Sequence, residues 1–183
     1  MKWWAVGFGL LASFTLYFFR DPERVTPVED DLVCAPADGR VIRVEEVKEG
    51  PFCQGSRVRL SIFMTIFNCH VNRSPVSGTV EGVRYQKGQF WPADHRKSFG
   101  QNEQNGVVIH TECGKIVEVV QVAGLIARRI VCWVEKGDEL TMGQRIGLIR
   151  FGSRVDVYLP SDSHIYVKIG DRVRAGETII ARL

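Results

Sequence analysis

Val134-Glu-Lys-Gly-Asp-Glu-Leu-Thr-Met-Gly-Gln-Arg-Ile146 and Val167-Lys-Ile-Gly-Asp-Arg-Val-Arg-Ala-Gly-Glu-Thr-Ile179 align without a gap. Both read Val-x-x-Gly-Asp-x-apolar-x-x-Gly-x-x-Ile. The Gly-Asp pair predicts a turn, because Gly takes backbone angles closed to other residues and the Asp carboxylate bonds its own backbone. The apolar residue packs inward, and the second Gly starts the next strand. Two shorter pieces also repeat. Ala35-Pro-Ala-Asp-Gly39-Arg-Val and Ser74-Pro-Val-Ser-Gly78-Thr-Val share a small-Pro-x-x-Gly-x-Val turn into a strand. The expected architecture is mostly β, a duplicated antiparallel sandwich or partly open barrel.

Outward from the repeat, further short strands are expected at Arg40–Val44, Val58–Met64, Thr79–Tyr85, Ile146–Ile149 and Val155–Leu159. Val107–Thr111 and Ile116–Val122 read as a hairpin. Gly88–Gly106 reads as a long loop or short helix. Ala123–Val134 reads as a helical turn followed by a strand. The long repeat resembles the hammerhead of biotinyl- and lipoyl-type barrel-sandwich domains. The swinging-arm Lys of such carriers is absent, so the half-repeats are structural.

The chain has 183 residues, enough for one domain with an appendage. A net charge of +3 is too weak to suggest a nucleic-acid partner. The cysteines at 34, 53, 69, 113 and 132 form no CxxC pair. Their odd count suits reduced thiols on a cytoplasmic-facing domain.

Trp3–Phe19 carries no charge and is bracketed by Lys2 and Arg20. As a helix it would reach about 25 Å, slightly short of a hydrocarbon core of about 30 Å. Trp3, Trp4 and Tyr17 suit the membrane–water interfaces. A signal peptide is the competing reading, but no small-x-small cleavage site precedes Arg20. A retained anchor is expected, either a short span or an in-plane insertion. With the strap that follows it covers residues 1–24, and residues 25–183 form the soluble domain.

No Gly-x-Ser-x-Gly elbow, HExxH pair or phosphate-binding loop is present, and no metal set suggests itself. Three residues remain for chemistry. Ser153 is an oxygen nucleophile that needs a base. His70 is a base near neutral pH, and Asp38 could orient it. Taken alone, Asp38 also reads as a turn residue and His70 as a structural histidine. Arg73 reads as a phosphate fork or a solvated side chain, and Arg128-Arg129 as headgroup contacts or solvent-facing. His95, His110 and His164 have no evident partner.

Six stretches together resemble a family. They are Phe18-Phe-Arg-Asp-Pro-Glu-Arg24, Ala35-Pro-Ala-Asp-Gly39, Phe67-Asn-Cys-His-Val-Asn-Arg-Ser-Pro-Val-Ser-Gly78, Asn102-Glu-Gln-Asn105, Val120–Trp133 and Arg150-Phe-Gly-Ser-Arg-Val-Asp-Val-Tyr-Leu-Pro160. The chain is similar to the short bacterial or archaeal type of phosphatidylserine decarboxylase proenzyme. That resemblance implies self-cleavage between Gly152 and Ser153. Ser153 would attack the preceding carbonyl and end as a pyruvoyl group, a covalent cofactor made from the chain. The fragments 1–152 and 153–183 would remain together as a heterodimer.

The resemblance assigns Asp38 and His70 to activation of Ser153. It implies decarboxylation of a phosphatidylserine-type lipid to the ethanolamine form, at the cell membrane with the domain on the cytoplasmic side. Decarboxylating an α-amino acid leaves a carbanion that needs an electron sink, and His70 is placed to reprotonate it. Arg73 and Arg154 are candidates for the substrate's phosphate or carboxylate. Longer members carry a second histidine where this chain has Arg73, so His70 serves both steps or another group helps. Gln89–His95 departs from the family pattern. Exposed strand edges allow a homo-oligomer. Without catalysis, the alternative is a membrane-tethered barrel-sandwich interaction module.

Overall fold

The computed structural model describes residues 2–27, 29, 31–125, 129–150 and 152–183. Helix α1, Lys2–Phe18, comes first. The strands that follow are β1 (Leu32–Cys34), β2 (Gly39–Val47), β3 (Arg57–Met64), β4 (Val71–Arg73), β5 (Gly78–Gln86), β6 (Gln104–His110) and β7 (Ile116–Val122). Then come β8 (Ile130–Cys132), β9 (Glu139–Leu140), β10 (Arg145–Ile149), β11 (Ser153–Pro160), β12 (His164–Ile165), β13 (Arg172–Val173) and β14 (Ile179–Arg182). Eight of them form a curled sheet in the order β13-β2-β3-β11-β7-β6-β5-β9. Two three-stranded sheets, β1-β14-β12 and β4-β10-β8, complete a half-barrel. All these strand pairs are antiparallel. The expected mostly-β, duplicated architecture with an N-terminal hydrophobic helix is what the chain adopts.

Side chains alternate across a strand, and that alternation builds the core. Val155, Val157 and Leu159 of β11 point inward with Leu60 and Ile62 of β3, Val117 and Val119 of β7, and Val107 and Ile109 of β6. The two small sheets close the other side with Ile146, Ile149 and Ile180.

The duplication is visible bond by bond. Gly176 N donates to the Ala35 carbonyl, and Gly143 N to the Ser74 carbonyl, each at 2.8 Å. Val41 N donates to Asp171 O, and Val80 N to Asp138 O. Gly170 N and Gly137 N return the bond to Val41 O and Val80 O. So each small-Pro-x-x-Gly turn docks on one hammerhead. The polar stretch after α1 threads between the two. A Cβ on Gly143 would overlap the Thr26 hydroxyl, and one on Gly176 would press on Arg73 Cδ. Arg73 donates to Asp21 Oδ1 and to the Pro22 and Gly143 carbonyls. Arg145 pairs with Asp21 and Glu23.

Several boundaries differ from expectation. Register extends strands beyond the expected bounds where neighbours supply ladder bonds. β6 starts at Gln104, inside the expected loop, because β5 and β7 pair with it from that point. The loop before it holds only one 3-10 turn, Arg96–Ser98. Ser153 and Arg154 lie within β11 rather than in the break before it, held by Met64 and Phe63 of β3. The strand expected near 130 is β8; the helical turn before it falls partly on 126–128, outside the described residues.

On the outer face of the large sheet, Glu118 is 1% exposed. Its Oε1 accepts from Phe52 N, and its Oε2 has no partner among the described residues. Burial pushes this carboxyl up to about 7, against the Cys53 thiol, the Phe52 amide and the charges of Arg57 and Arg84. A raised carboxyl pKa means the fold loses stability as pH rises from the ordinary value through about 7. Glu118→Gln keeps the acceptor and removes that cost. It should raise the unfolding free energy at pH 8 by up to roughly 3 kcal/mol and change little at pH 5, as chemical denaturation at the two pH values would show.

Candidate active site

Ser153 opens β11 in phase with Val155 and Val157, so its side chain points into the half-barrel. It is fully buried, and Oγ has no hydrogen-bond partner among the described residues. Such an orphaned hydroxyl costs about 1–3 kcal/mol, and a native structure retains one where it has a use. Gly152, just before it, has φ +60°, the left-handed region that favours Gly. The Gly152 carbonyl occupies the space where a Cβ on Gly124 would lie. Gly124 is therefore bare backbone cradling the carbonyl that precedes Ser153.

His70 stands just before β4 and is 3% exposed. Its Nδ1 lies 2.9 Å from the Asn68 carbonyl. A carbonyl only accepts, so Nδ1 carries the proton and Nε2 keeps its lone pair. Nε2 is buried with no partner among the described residues. Burial lowers the His70 pKa to about 4, helped by the charge of Arg20 and opposed by the Asn68 bond and Asp38. The ring is thus neutral at neutral pH, in the form that can take a proton. His70 and Ser153 belong to the same end of the fold. The His70 carbonyl accepts from Ile149 N on β10, and Met64, the register partner of Ser153, lies 3.8 Å from the Asn72 amide on β4.

The last turn of α1 covers His70. Phe18 is 1% exposed and packs on the imidazole at 4.2 Å between ring centroids. Tyr17 Oη and the Arg20 guanidinium both donate to the Phe67 carbonyl, at 3.1 and 2.8 Å. Cys69 Sγ bonds the Arg20 carbonyl. Upstream the helix is exposed, with Trp3, Trp4, Phe8, Leu10, Leu11 and Leu16 all facing outward.

Asp38 does not bond His70 in this structure. Its carboxylate takes Arg24 Nη2 on both oxygens, at 2.9 and 3.0 Å, and Ala175 N at 2.8 Å. Its influence on His70 is through its field. Arg73 and Arg154 are both buried and committed to the protein. Arg73 holds the strap, as above. Arg154 donates to Asp156, Ser98 Oγ and the Ala93 carbonyl, and stacks on Phe99 at 3.6 Å. The divergent stretch 89–95 thus packs over Arg154 through Ala93. Arg129 is exposed, and Arg128 lies outside the described residues. His95, His110 and His164 are exposed.

Three contributors were not singled out from the sequence: Phe18, Arg24 and Gly124. A fourth is a buried amide row, in which Asn105 donates to Gln121 and Gln121 to Asn72. All lie within the matching motifs, which is the only signal that could have flagged them.

A neutral imidazole, an orphaned serine hydroxyl and a cradled carbonyl, all buried and at the same end of the fold, suit acyl transfer at the 152–153 bond. Over residues 11–181 the chain matches the family model described as phosphatidylserine decarboxylase. The chain belongs to the phosphatidylserine decarboxylase family. It is 51% identical over 176 residues to a protein of Desulfotalea psychrophila named phosphatidylserine decarboxylase proenzyme, covering 96% of this chain and 82% of that one. Proteins of the same name from Ralstonia pickettii (48% over 180 residues, 98% and 83% coverage) and Geobacter sp. (52% over 177 residues, 96% and 80%) are also similar. As a phosphatidylserine decarboxylase family member, the chain is an enzyme of the decarboxylase class.

The Phe18 stack generates a prediction of its own. In a Ser153→Ala background, Phe18→Ala should admit water to the imidazole and move its pKa up from about 4 toward 6.5. A histidine NMR titration reads this directly; a value still near 4 would show that the helix end does not shield His70.

Proposed function

We propose that this chain cuts itself at Gly152–Ser153 and then decarboxylates a phosphatidylserine-type lipid to the ethanolamine form. The observation that carries the reading is the buried, unpartnered Ser153 Oγ beside the left-handed Gly152, with His70 Nε2 also unpartnered. His70 Nε2 takes the Ser153 hydroxyl proton as Oγ bonds the Gly152 carbonyl carbon. Collapse breaks the Gly152–Ser153 C–N bond, and the proton goes to the departing amine. The result is an ester. Loss of the Ser153 α-hydrogen then breaks the Cβ–O bond and releases Gly152 as a carboxylate. Water adds to the resulting imine tautomer at residue 153 and expels ammonia, leaving a pyruvoyl group.

Gly124 supports the attack geometry by leaving room for the carbonyl to change shape. Arg24 and the Ala175 amide hold Asp38 in place, and its charge favours the imidazolium that forms when His70 accepts a proton. The surroundings fit such a group, since Ser153 is buried and Asn72 of the amide row contacts Met64, the register partner of Ser153. When formed, the pyruvoyl carbonyl supplies an electron sink for loss of carbon dioxide from an amino acid. His70, neutral and covered by Phe18, is a base available to move a proton at the reacting carbon. The two fragments stay together because β11 pairs with β3 and β7, and β14 with β1.

Association with a membrane is the second part of the proposal. The exposed apolar face of α1 is too continuous to be left in water. No described helix is long and apolar enough to cross a membrane. An in-plane insertion of α1 suits both facts.

Mass spectrometry of the purified protein decides the cleavage. Two fragments are expected, the smaller starting at residue 153 as a pyruvoyl; a single intact chain after long incubation would refute the proposal. Ser153→Ala should stay full length. His70→Ala and Gly124→Ala should slow cleavage by about a hundredfold or more, and Asp38→Asn by less. The pH dependence is the sharper test of His70. With its pKa held at about 4, cleavage should show no inflection near 6.5 and should fall only as pH approaches 4. A break at 6.5 would point to another base.

A further inference from the structure

The two halves of the duplicated domain carry equivalent clefts that differ in charge. Each lies where a hammerhead turn pairs with the strand after a small-Pro-x-x-Gly turn. In one, Thr79 faces Glu139 and Gly78 faces Leu140 across β5 and β9. This cleft of about 420 Å³ is lined by Glu112 and Glu139 and by no cation. In the other, Arg40 faces Arg172 and Gly39 faces Val173 across β2 and β13. This cleft of about 390 Å³ is lined by both arginines with Phe63, Thr65 and Asn68, and by no carboxylate.

Like charges directly opposite on antiparallel strands repel. Both arginines are exposed, and neither guanidinium has an ion-pair partner among the described residues. The nearby carboxylates are engaged elsewhere. Asp38 is held by Arg24 and the Ala175 amide, and Asp171 accepts from the Lys168 amide. The fold does not require a cation pair here, since the equivalent positions accept Thr79 and Glu139. Two adjacent planar forks do match a phosphate, which each can bind by paired N–H bonds.

The position of the basic cleft is specific. Thr65 and Asn68 belong to the loop that leads into His70, and the Asn68 carbonyl holds His70 Nδ1. Phe67 between them is exposed, and its carbonyl ties down the end of α1. The cleft therefore flanks both the base and the foot of the helix proposed to lie in the membrane. Arg73 and Arg154, by contrast, have their donors engaged within the protein.

We propose that Arg40 and Arg172 form the seat for the phosphodiester of the phospholipid substrate, beside the site that processes its headgroup. This rests on the substrate reading above. The cleft takes the phosphate of a lipid and leaves the serine carboxyl and amine for the interior.

The test uses the full, self-processed protein and the double variant R40Q/R172Q in detergent micelles. With phosphatidylserine, the variant's KM should rise about tenfold or more, with kcat reduced less and self-cleavage intact by mass spectrometry. E139Q, in the equivalent acidic cleft, should leave KM as it was. Phosphatidylglycerol, which shares the diester and lacks serine, should inhibit the parent and lose most of that inhibition in R40Q/R172Q. Millimolar inorganic phosphate should not substitute for it. An unchanged KM in the double variant, an equal rise in E139Q, or full displacement by inorganic phosphate would each overturn the proposal. If no protein releases carbon dioxide from the serine lipid, the substrate reading has failed. Sedimentation with phosphatidylglycerol vesicles then decides the cleft alone, through loss or retention of binding in R40Q/R172Q.

Discussion

Alternation along one strand governs this molecule. β11 is paired along its whole length by β3 and over Arg154–Tyr158 by β7, so it cannot slip by one residue without turning Val155, Val157 and Leu159 out of the core. Ser153 sits in phase with those three. The same register that fills the core therefore aims the hydroxyl inward, and the same pairing that excludes water leaves it without a partner. The opposite phase carries Arg154, Asp156 and Tyr158 to the outer face, where the guanidinium is matched by Asp156 and capped by Phe99. Core and candidate site are two consequences of one register.

The duplicated turns supply the rest of the frame. Each hammerhead receives the same set of backbone bonds, so the two halves hold each other at a fixed spacing, and the segment after α1 runs between them. Two glycines at equivalent places in the repeat admit that segment. Asp21, Glu23 and Arg24 fasten it by charge. The helix end is then drawn onto the loop of His70. Burial of the imidazole, and with it the neutral form, depends on a contact made by residue 18 of the chain.

Much of the frame was legible beforehand because it is local. The Gly-Asp turns, the paired small-Pro-x-x-Gly turns and the valine-rich alternation state their structure within a dozen residues. The site was legible only through family motifs. An Asp before a Gly, a lone His and a Gly-Ser pair are ordinary turn and core residues by pattern alone. What stayed hidden is long-range. Arg24 meets Asp38 and Glu177, Arg73 reaches Asp21 and Gly143, and Arg154 meets Ala93 and Ser98. Nothing in the local sequence says that an arginine will be buried rather than turned to a ligand; only the partner does. Gly124 was hidden for a related reason, since its role is to be absent where another residue's carbonyl lies.

The strap between the hammerheads also bears on the timing of assembly. One hammerhead, 134–146, precedes the 152–153 bond, and the other, 167–179, follows it. The cage that holds the strap, and through it the lid on His70, closes only when the second hammerhead has emerged and docked. On the proposed chemistry, a truncated or misassembled chain would keep its serine and stay inert. Maturation would then act as a checkpoint on folding, with the reactive carbonyl appearing only in molecules whose strap and second hammerhead have met.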